Sequence, residues 1–415
     1  MNIQEFLATS YTPFHAVENC KRILQENGFV AFDDSVKAEK GGAYYLENAG
    51  SSIVAFKVGD LSNYAFNIVA SHTDSPMLKV KGSKLIKSPQ GYRINAEVYG
   101  GLLRYSMLDI PLKIVGRLFI KDGNAVKPVL YESPFNVNIP SMCIHHQPDV
   151  NEKFALNPQV DMLPLIGGEE QDLYKVICAD NRVIDADLYV APAVAPSLTG
   201  AKGQFLVSPR IDNLTSVYTS IMALCESTPK SVAIAACFDN EEIGSHTKQG
   251  AYSDLLPSLL KRINKDLKKT DASYQKALRS GMLLSCDNAH GVHPAHPEKS
   301  DPEQKVILNG GIVIKHHTNY TTDGLSSALL KTLLDDNNVK YQDYYNRSDI
   351  RCGGTLGLIT SAMLNLNAVD IGLGQLAMHS AVETVGYEDI EKMQKCINCF
   401  YNCKITHSEK GIVIK

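Results

Sequence analysis

Tryptophan is missing altogether from these 415 residues, an absence that excludes nothing. More telling is the lack of any apolar run close to the roughly 20 residues that a bilayer-spanning helix needs. A membrane-spanning helix is excluded on that ground. Neither sign of charge dominates: 41 Lys and Arg stand against 45 Asp and Glu, for a net charge of −4. That balance gives no general attraction for nucleic acid or an anionic membrane. The opening stretch, Met1 to His15, lacks the basic n-region and apolar h-region of a secretory signal. The expected location is therefore cytoplasmic. Ten Cys, several inside apolar segments, fit reduced thiols better than a disulfide framework. Internal repeats and low-complexity linkers are also lacking.

What is present is a globular composition, 44% hydrophobic and 21% charged, on a chain long enough for two domains. Thr12-Pro13 opens a helical pattern that closes at Gly28, with the usual N-cap, N1 and stop residues. Ser52 to Val58 and Tyr64 to Ala70 read as strands. From about Leu85 to Tyr189 the texture is β-rich: Tyr92 to Val98 alternates with period two, and Lys121-Asp122-Gly123-Asn124 reads as a hairpin turn. After Arg210-Ile211-Asp212-Asn213 helices and strands alternate to the end, with Tyr252 to Leu267 expected as a helix kinked at Pro257. Such alternation implies a sheet flanked by helices. The expected fold is α/β, a mixed sheet flanked by helices, with an inserted β-rich domain at 85–192 between catalytic segments 1–84 and 193–415.

Function concentrates where apolar runs stop. Val232 to Phe238 ends at Asp239-Asn240-Glu241-Glu242, delivering two adjacent carboxylates to a strand's C-terminal end, where open α/β sheets bind ligands. Neighbours on a strand face opposite ways, so both glutamates can serve one site only from a turn, which Gly244 permits. An acidic solvated loop is the plainer reading. Four more polar bursts follow apolar segments: His72 with Asp74, then Asp212, Asp287 and His379. Two apart on a strand, Asp74 and His72 share a face, so Asp74 can accept the imidazole's other N–H. Singly, His379 reads as a hydrogen-bonded structural histidine, Asp212 as a helix cap and Asp287 as part of a turn. Together, two His and three carboxylates suit a pair of Zn²⁺-like ions. Three converging carboxylates repel without metal. Two divalent ions leave one surplus positive charge for an anion to cancel, and Glu241 remains as an unligated base.

The pieces YTPFHAVENC, ASHTDSP, PRIDNL, FDNEEIGS, CDNAHGVHPAHPEK and QLAMHS occur in order over nearly the whole length. In them the chain resembles the zinc aminopeptidase family typified by aspartyl aminopeptidase. The resemblance implies two Zn²⁺ per subunit, other divalent ions being acceptable. His72, Asp212 and Asp287 would hold one; Asp212, Glu242 and His379 would hold the other, with Asp212 bridging. Glu241 would be the general base and Asp74 the partner of His72. His145 in PSMCIHHQ, or His146 one position on, resembles a family histidine that reaches a neighbouring subunit's active site and helps bind substrate or stabilise the oxyanion. The inserted domain would build a dimer and, through it, a dodecamer. Peptides would be the substrates, cleaved by removal of the N-terminal residue.

Lys315 resembles a family lysine and is the candidate cation for an acidic substrate side chain; a solvated strand-end Lys is the alternative. The chain departs from the family around Leu103 to Met107 and reads IVIKHHTNYTTD where aspartyl aminopeptidases carry Asn-x-x-Gln-Arg-Tyr, which leaves acidic specificity open. Cys396, Cys399 and Cys403 share a helical face and read as core packing rather than a metal site. His290, His293 and His296 lie near Asp287 and could line the pocket. Gly353-Gly354 reads as an anion-binding helix start or a plain helix entry. His316-His317 and the closing stretch Lys410 to Lys415 have no assigned role. The competing functions are a related zinc hydrolase of N-acyl amino acids or other peptides, and a non-catalytic self-assembling scaffold.

Overall fold

The computed structural model describes residues 1–178, 182–409 and 411–415; Lys410 of the unassigned closing stretch and three residues of the inserted segment lie outside them. A nine-stranded sheet forms the centre. Its spatial order is Val30–Ala31, Ala43–Asn48, Ser52–Val58, Val232–Phe238, Phe66–His72, Met282–Cys286, Asn367–Gly372, Ile312–His316, Tyr341–Tyr345. The four strands from Val232–Phe238 to Asn367–Gly372 run parallel, so their carboxyl ends open on one crevice. Strands outside this group turn antiparallel at Ser52–Val58 and Ile312–His316.

Period-two alternation explains why the sheet is covered on both faces. Val232, Ile234, Ala236 and Phe238 enter one buried core; Ala233, Ala235 and Cys237 enter the other. Helices Pro13–Glu26, Ile211–Glu226 and Tyr387–Asn402 close the Ala233 side. Leu255–Asp266, Asp271–Arg279 and Leu356–Leu364 close the Ile234 side. Cys396 and Cys403 are buried in the core on the Ala233 side and Cys399 packs against it, as their common face requires. The described residues contain no disulfide.

The expected kink at Pro257 does not form. The helix begins at Leu255, so Pro257 falls in its first turn, where an N–H has no intrahelical acceptor and its loss costs nothing. Among the helices that escape the sequence pattern are Ile3–Thr9 and Asp271–Arg279. The first is fixed by a capping box between Asn2 and Glu5, the second by the Thr270 cap.

The β-rich middle forms a five-stranded antiparallel sheet, Ala125–Glu132, Leu112–Asp122, Val183–Pro192, Met77–Val80, Ala96–Tyr99, and a smaller one of three strands. Asp122 pairs with Ala125 across Gly123-Asn124, a two-residue hairpin in which Gly123 takes φ +60°. Its core includes Leu78, Ile94, Ile114, Leu118 and Val190. A further five-stranded sheet, Ser197–Thr199, Phe205–Ser208, Glu383–Gly386, Gly374–Leu376, Ala289–His290, sits beside the crevice. There Ser208 lies opposite Glu383, which brings the approach to Asp212 against the exit from His379.

Ile68 is fully buried in the strand that ends at His72. Ile68→Ala should destabilise the fold by about 2–5 kcal/mol through lost burial and the cavity left behind, measured as a shifted urea midpoint.

Candidate metal centre

His72 closes its strand in register with Phe238 of the neighbour, and the chain beyond Phe238 turns at once. Glu241 and Glu242 sit in a single 3₁₀ turn between Asn240 at φ +61° and Gly244 at φ +97°. That turn aims both carboxylates at one place, which a continuing strand could not do. Asp287 follows Met282–Cys286, its N–H donating to Ile371 O at 2.8 Å. Asp212 stands with non-helical dihedrals just before regular helix begins at Leu214. Arg210, Ala377 and His379 all take positive φ, at +59°, +55° and +65°. Left-handed backbone at non-glycine residues is strained and clusters at functional sites.

The side chains converge. Asp212 faces both ways: Oδ1 lies 3.6 Å from His72 Nε2 and Oδ2 lies 3.5 Å from His379 Nε2. Asp287 Oδ1 is 3.7 Å from His72 Nε2, and Glu242 Oε1 is 3.4 Å from His379 Nε2. Two overlapping sets result, His72–Asp212–Asp287 and Asp212–Glu242–His379, with a third grouping of His72, Glu241 and Glu242 across them. Atoms about 2.1 Å from a shared zinc at the tetrahedral angle stand about 3.4 Å apart. The separations match that spacing and are long for hydrogen bonds. Asp212 Oδ1 is buried without a hydrogen-bond partner among the described residues, so a cation between these groups fits the donor set.

The electrostatics agree. Although burial opposes charge on an imidazole, Asp212 and Glu242 push His379 up to about 10. His72, equally disfavoured by burial, is raised well above its ordinary value by Asp287 and Asp74. Burial, reinforced by Asp287, Asp74 and Asp212 against the opposing pull of His72, pushes Glu241 up to about 8. Protons are drawn in because the cluster lacks positive charge, which is what divalent cations supply.

Asp74 does more than the spacing suggested. Its carboxylate lies 3.3 Å from His72 Nδ1 and its own carbonyl 3.1 Å from the same nitrogen. Its Oδ1 also accepts the Glu241 N–H, and its Oδ2 accepts the Glu242 N–H, each at 3.1 Å. The Tyr99 hydroxyl donates to Oδ2 at 2.7 Å. One carboxylate thus orients the imidazole and pins the glutamate turn. The two glycines that follow Tyr99 matter as well. Gly101 O lies 3.2 Å from His379 Nδ1, which makes Nδ1 the donor and turns Nε2 towards the carboxylates. A Cβ on Gly101 would lie 2.9 Å from that Nδ1, and one on Gly100 would lie 3.1 Å from Glu242 Cβ. Tyr99, Gly100, Gly101 and Glu383 were not singled out from the sequence. The Gly-Gly doublet closing an alternating strand was the available signal for close backbone approach.

These groups line a cavity of about 200 Å³ that also takes in His290, Lys315, Tyr320 and Gly353–Gly354. A larger cavity of about 710 Å³ lies in the inserted segment around Met142, Phe154 and Val160, away from the His–carboxylate cluster. Lys315 is buried, with Nζ donating to Asp287 Oδ2 at 3.2 Å and to the carbonyls of Asp287 and Asn288 at 3.1 Å each. All three of its N–H groups are thus engaged. Burial works against Asp287 ionising, but Lys315 and then His72 hold it well below the usual carboxylate range. His145 and His146 are exposed and do not line the cavity. His293 and His296 lie outside it too, their rings 5.3 Å apart. His316 pairs with Asp343 at 2.8 Å and stacks on Tyr345.

A covered α/β sheet with paired His–carboxylate sets at its carboxyl edge defines an α/β metallohydrolase. Comparison with known proteins narrows the class. The chain belongs to the aminopeptidase I zinc metalloprotease (M18) family, whose model matches residues 6–401, and it is a zinc-dependent aminopeptidase. A probable M18 family aminopeptidase 2 of Clostridium novyi (strain NT) is 38% identical over 421 residues, covering 96% of this chain and 97% of the relative. Among solved structures, a chain of the cryo-EM structure of the Ape4 and Nbr1 complex superposes with a TM-score of 0.92 at 28% identity, covering 96% of this chain and 84% of that one. The S. cerevisiae mApe1 dodecamer gives 0.82 at 25% identity, with 96% and 95% covered.

Gly101→Ala should displace the His379 ring and its Nδ1–H bond. Zinc titration against a chromogenic chelator should show one of two equivalents weakened about 10- to 100-fold, the usual effect of disturbing a ligand's support.

Proposed function

We propose that His72, Asp212 and Asp287 hold one zinc and that Asp212, Glu242 and His379 hold the other, with Asp212 shared. When bound, the ions polarise the scissile carbonyl and make a water acidic enough to ionise near neutral pH. The carrying observation is Glu241. It lines the same cavity, its Oε2 4.0 Å from His72 Nε2, yet both three-residue sets are complete without it. A base free of the metals is what proton transfer needs. Glu241 takes the proton from the attacking water and returns it to the departing amine. Asp74 keeps His72 and the glutamate turn aligned for both events.

The cavity, about 200 Å³, suits one terminal residue, and its carboxylates suit that residue's free α-amine. Lys315 is the proposed positive end for an acidic side chain. Its N–H groups already serve Asp287 and Asn288, so it acts by its field more than by contact. Selectivity for Asp or Glu over Leu then stays near tenfold, about 1.4 kcal/mol.

We assign residues 1–84 and 193–415 to catalysis and 85–192 to assembly, with Met77–Val80 paired into the assembly sheet. The exposed apolar side chains Met142, Ile144, Phe154 and Val160 support this assignment, as does the dodecameric relative. A dimer-based dodecamer follows, in which the exposed His145 reaches a neighbouring active site and stabilises the oxyanion. No helix among the described residues is long and apolar enough to cross a membrane, and we place the protein in the cytoplasm.

Glu241→Gln should keep both zinc equivalents and lose at least ~10²-fold in kcat on an aminoacyl anilide; near-normal turnover removes Glu241 from proton transfer. N-acetylated peptides should be inert, whereas turnover of N-acyl amino acids would favour the related hydrolase. Zinc without turnover of any substrate would favour the scaffold. A panel of Asp-, Glu- and Leu-anilides reads the role of Lys315, and a clear preference for Leu defeats it.

A further inference from the structure

Glu383 is a fully enclosed carboxylate, and among the described residues no Lys or Arg forms an ion pair with it. Burying such a group without a cation is costly unless its oxygens are well used. Both are. Oε1 accepts the His379 N–H at 2.7 Å and Oε2 accepts the Asp212 N–H at 3.0 Å. These are backbone groups of two residues 167 positions apart, and each belongs to a strained turn. His379 sits at φ +65° two residues after Ala377 at +55°, and Asp212 sits two residues after Arg210 at +59°. The pairing of Ser208 with Glu383 brings the two turns within reach of one side chain.

We propose that Glu383 is a positioning residue for the second zinc, a two-pronged clamp that sets the distance between the bridging carboxylate and the His379 imidazole. This rests on the assignment of Asp212 and His379 as ligands. Glu383 does not line the cavity; it acts through the two main chains. One prong holds Asp212, which serves both zincs, and the other holds His379, which serves only the second, so loss of Glu383 falls on the second zinc more than on the first. A glutamine is nearly isosteric but presents NH₂ where one of the N–H groups needs an acceptor, so it breaks one prong. An aspartate is one methylene too short to hold both. Alanine removes the clamp.

The test measures zinc stoichiometry and stepwise affinity of Glu383→Gln, Glu383→Asp and Glu383→Ala by chelator competition, with His379→Ala alongside and thermal melts of each metal-free protein. Glu383→Gln should bind one equivalent about 10- to 100-fold more weakly and the other within about threefold of wild type. Its metal-free melt should be unchanged. Glu383→Asp should not restore the weakened equivalent. Two wild-type affinities in both Glu383→Gln and Glu383→Ala would overturn the clamp. So would an equal loss at both equivalents accompanied by a lower metal-free melting point, the mark of a structural role only. If the alanine variant does not fold, two wild-type affinities in Glu383→Gln alone overturn the clamp. Retention of both equivalents by His379→Ala overturns the ligand assignment itself, and the clamp with it, and is distinguishable because it appears without any change at Glu383.

Discussion

Everything in the crevice depends on carboxylates gathered closer than they would stand unaided. Asp212 sits between two imidazoles, each of its oxygens about 3.5 Å from one of them. Glu242, Asp287, Glu241 and Glu383 stand around it, mostly out of water. Like charges in low dielectric raise one another's pKa or separate. This cluster cannot separate, because the backbone beneath each member is fixed, and Glu241 and Glu242 are raised accordingly, first by burial and then by their neighbours. Its residual demand for positive charge shows in the raised imidazoles, and two divalent cations meet it more fully than two protons.

The fixing is done by groups one step away from the proposed ions. Asp74 collects two backbone N–H groups, a tyrosine hydroxyl and an imidazole nitrogen. Gly101 contributes a carbonyl to His379. Tyr99 and Gly101 lie at the end of a strand in the β-rich sheet, whereas His72 and Asp287 hang from the central one. The two sheets therefore share the site, and neither could shift against the other without disturbing His379 or the glutamate turn. Such shared support is how a constellation is held to the few tenths of an ångström that chemistry requires.

The surroundings of Lys315 bear on the specificity proposed for it. A buried ammonium is expensive unless its donors are satisfied, and here Asp287 and Asn288 satisfy all of them. The cation that keeps Asp287 ionised is thereby less available to a substrate. The proposed acidic selectivity would draw on the same side chain that holds Asp287 ionised, and the geometry favours the latter.

The ends of strands were legible from the sequence because an apolar run that stops at His, Asp or Glu is a local signal. His72, Asp212, Glu241, Glu242, Asp287 and His379 could be named, and the alternation of helix and strand implied the covered sheet. The hairpin at Gly123-Asn124 was readable for the same local reason. Helix starts were less so: Pro257 reads as a kink in the sequence, yet the first turn begins two residues before it.

What tertiary structure alone decided is which backbone and side-chain groups serve those residues. Nothing near Tyr99, Gly101 or Glu383 in the chain announces that they meet Asp74, His379 and Asp212, residues 25, 278 and 171 positions away. Residue type and strand periodicity determine what chemistry a chain carries, since both act over a few residues. The direction in which each proposed ligand points is set by hydrogen bonds closed across sheets, and those exist only once the chain has folded.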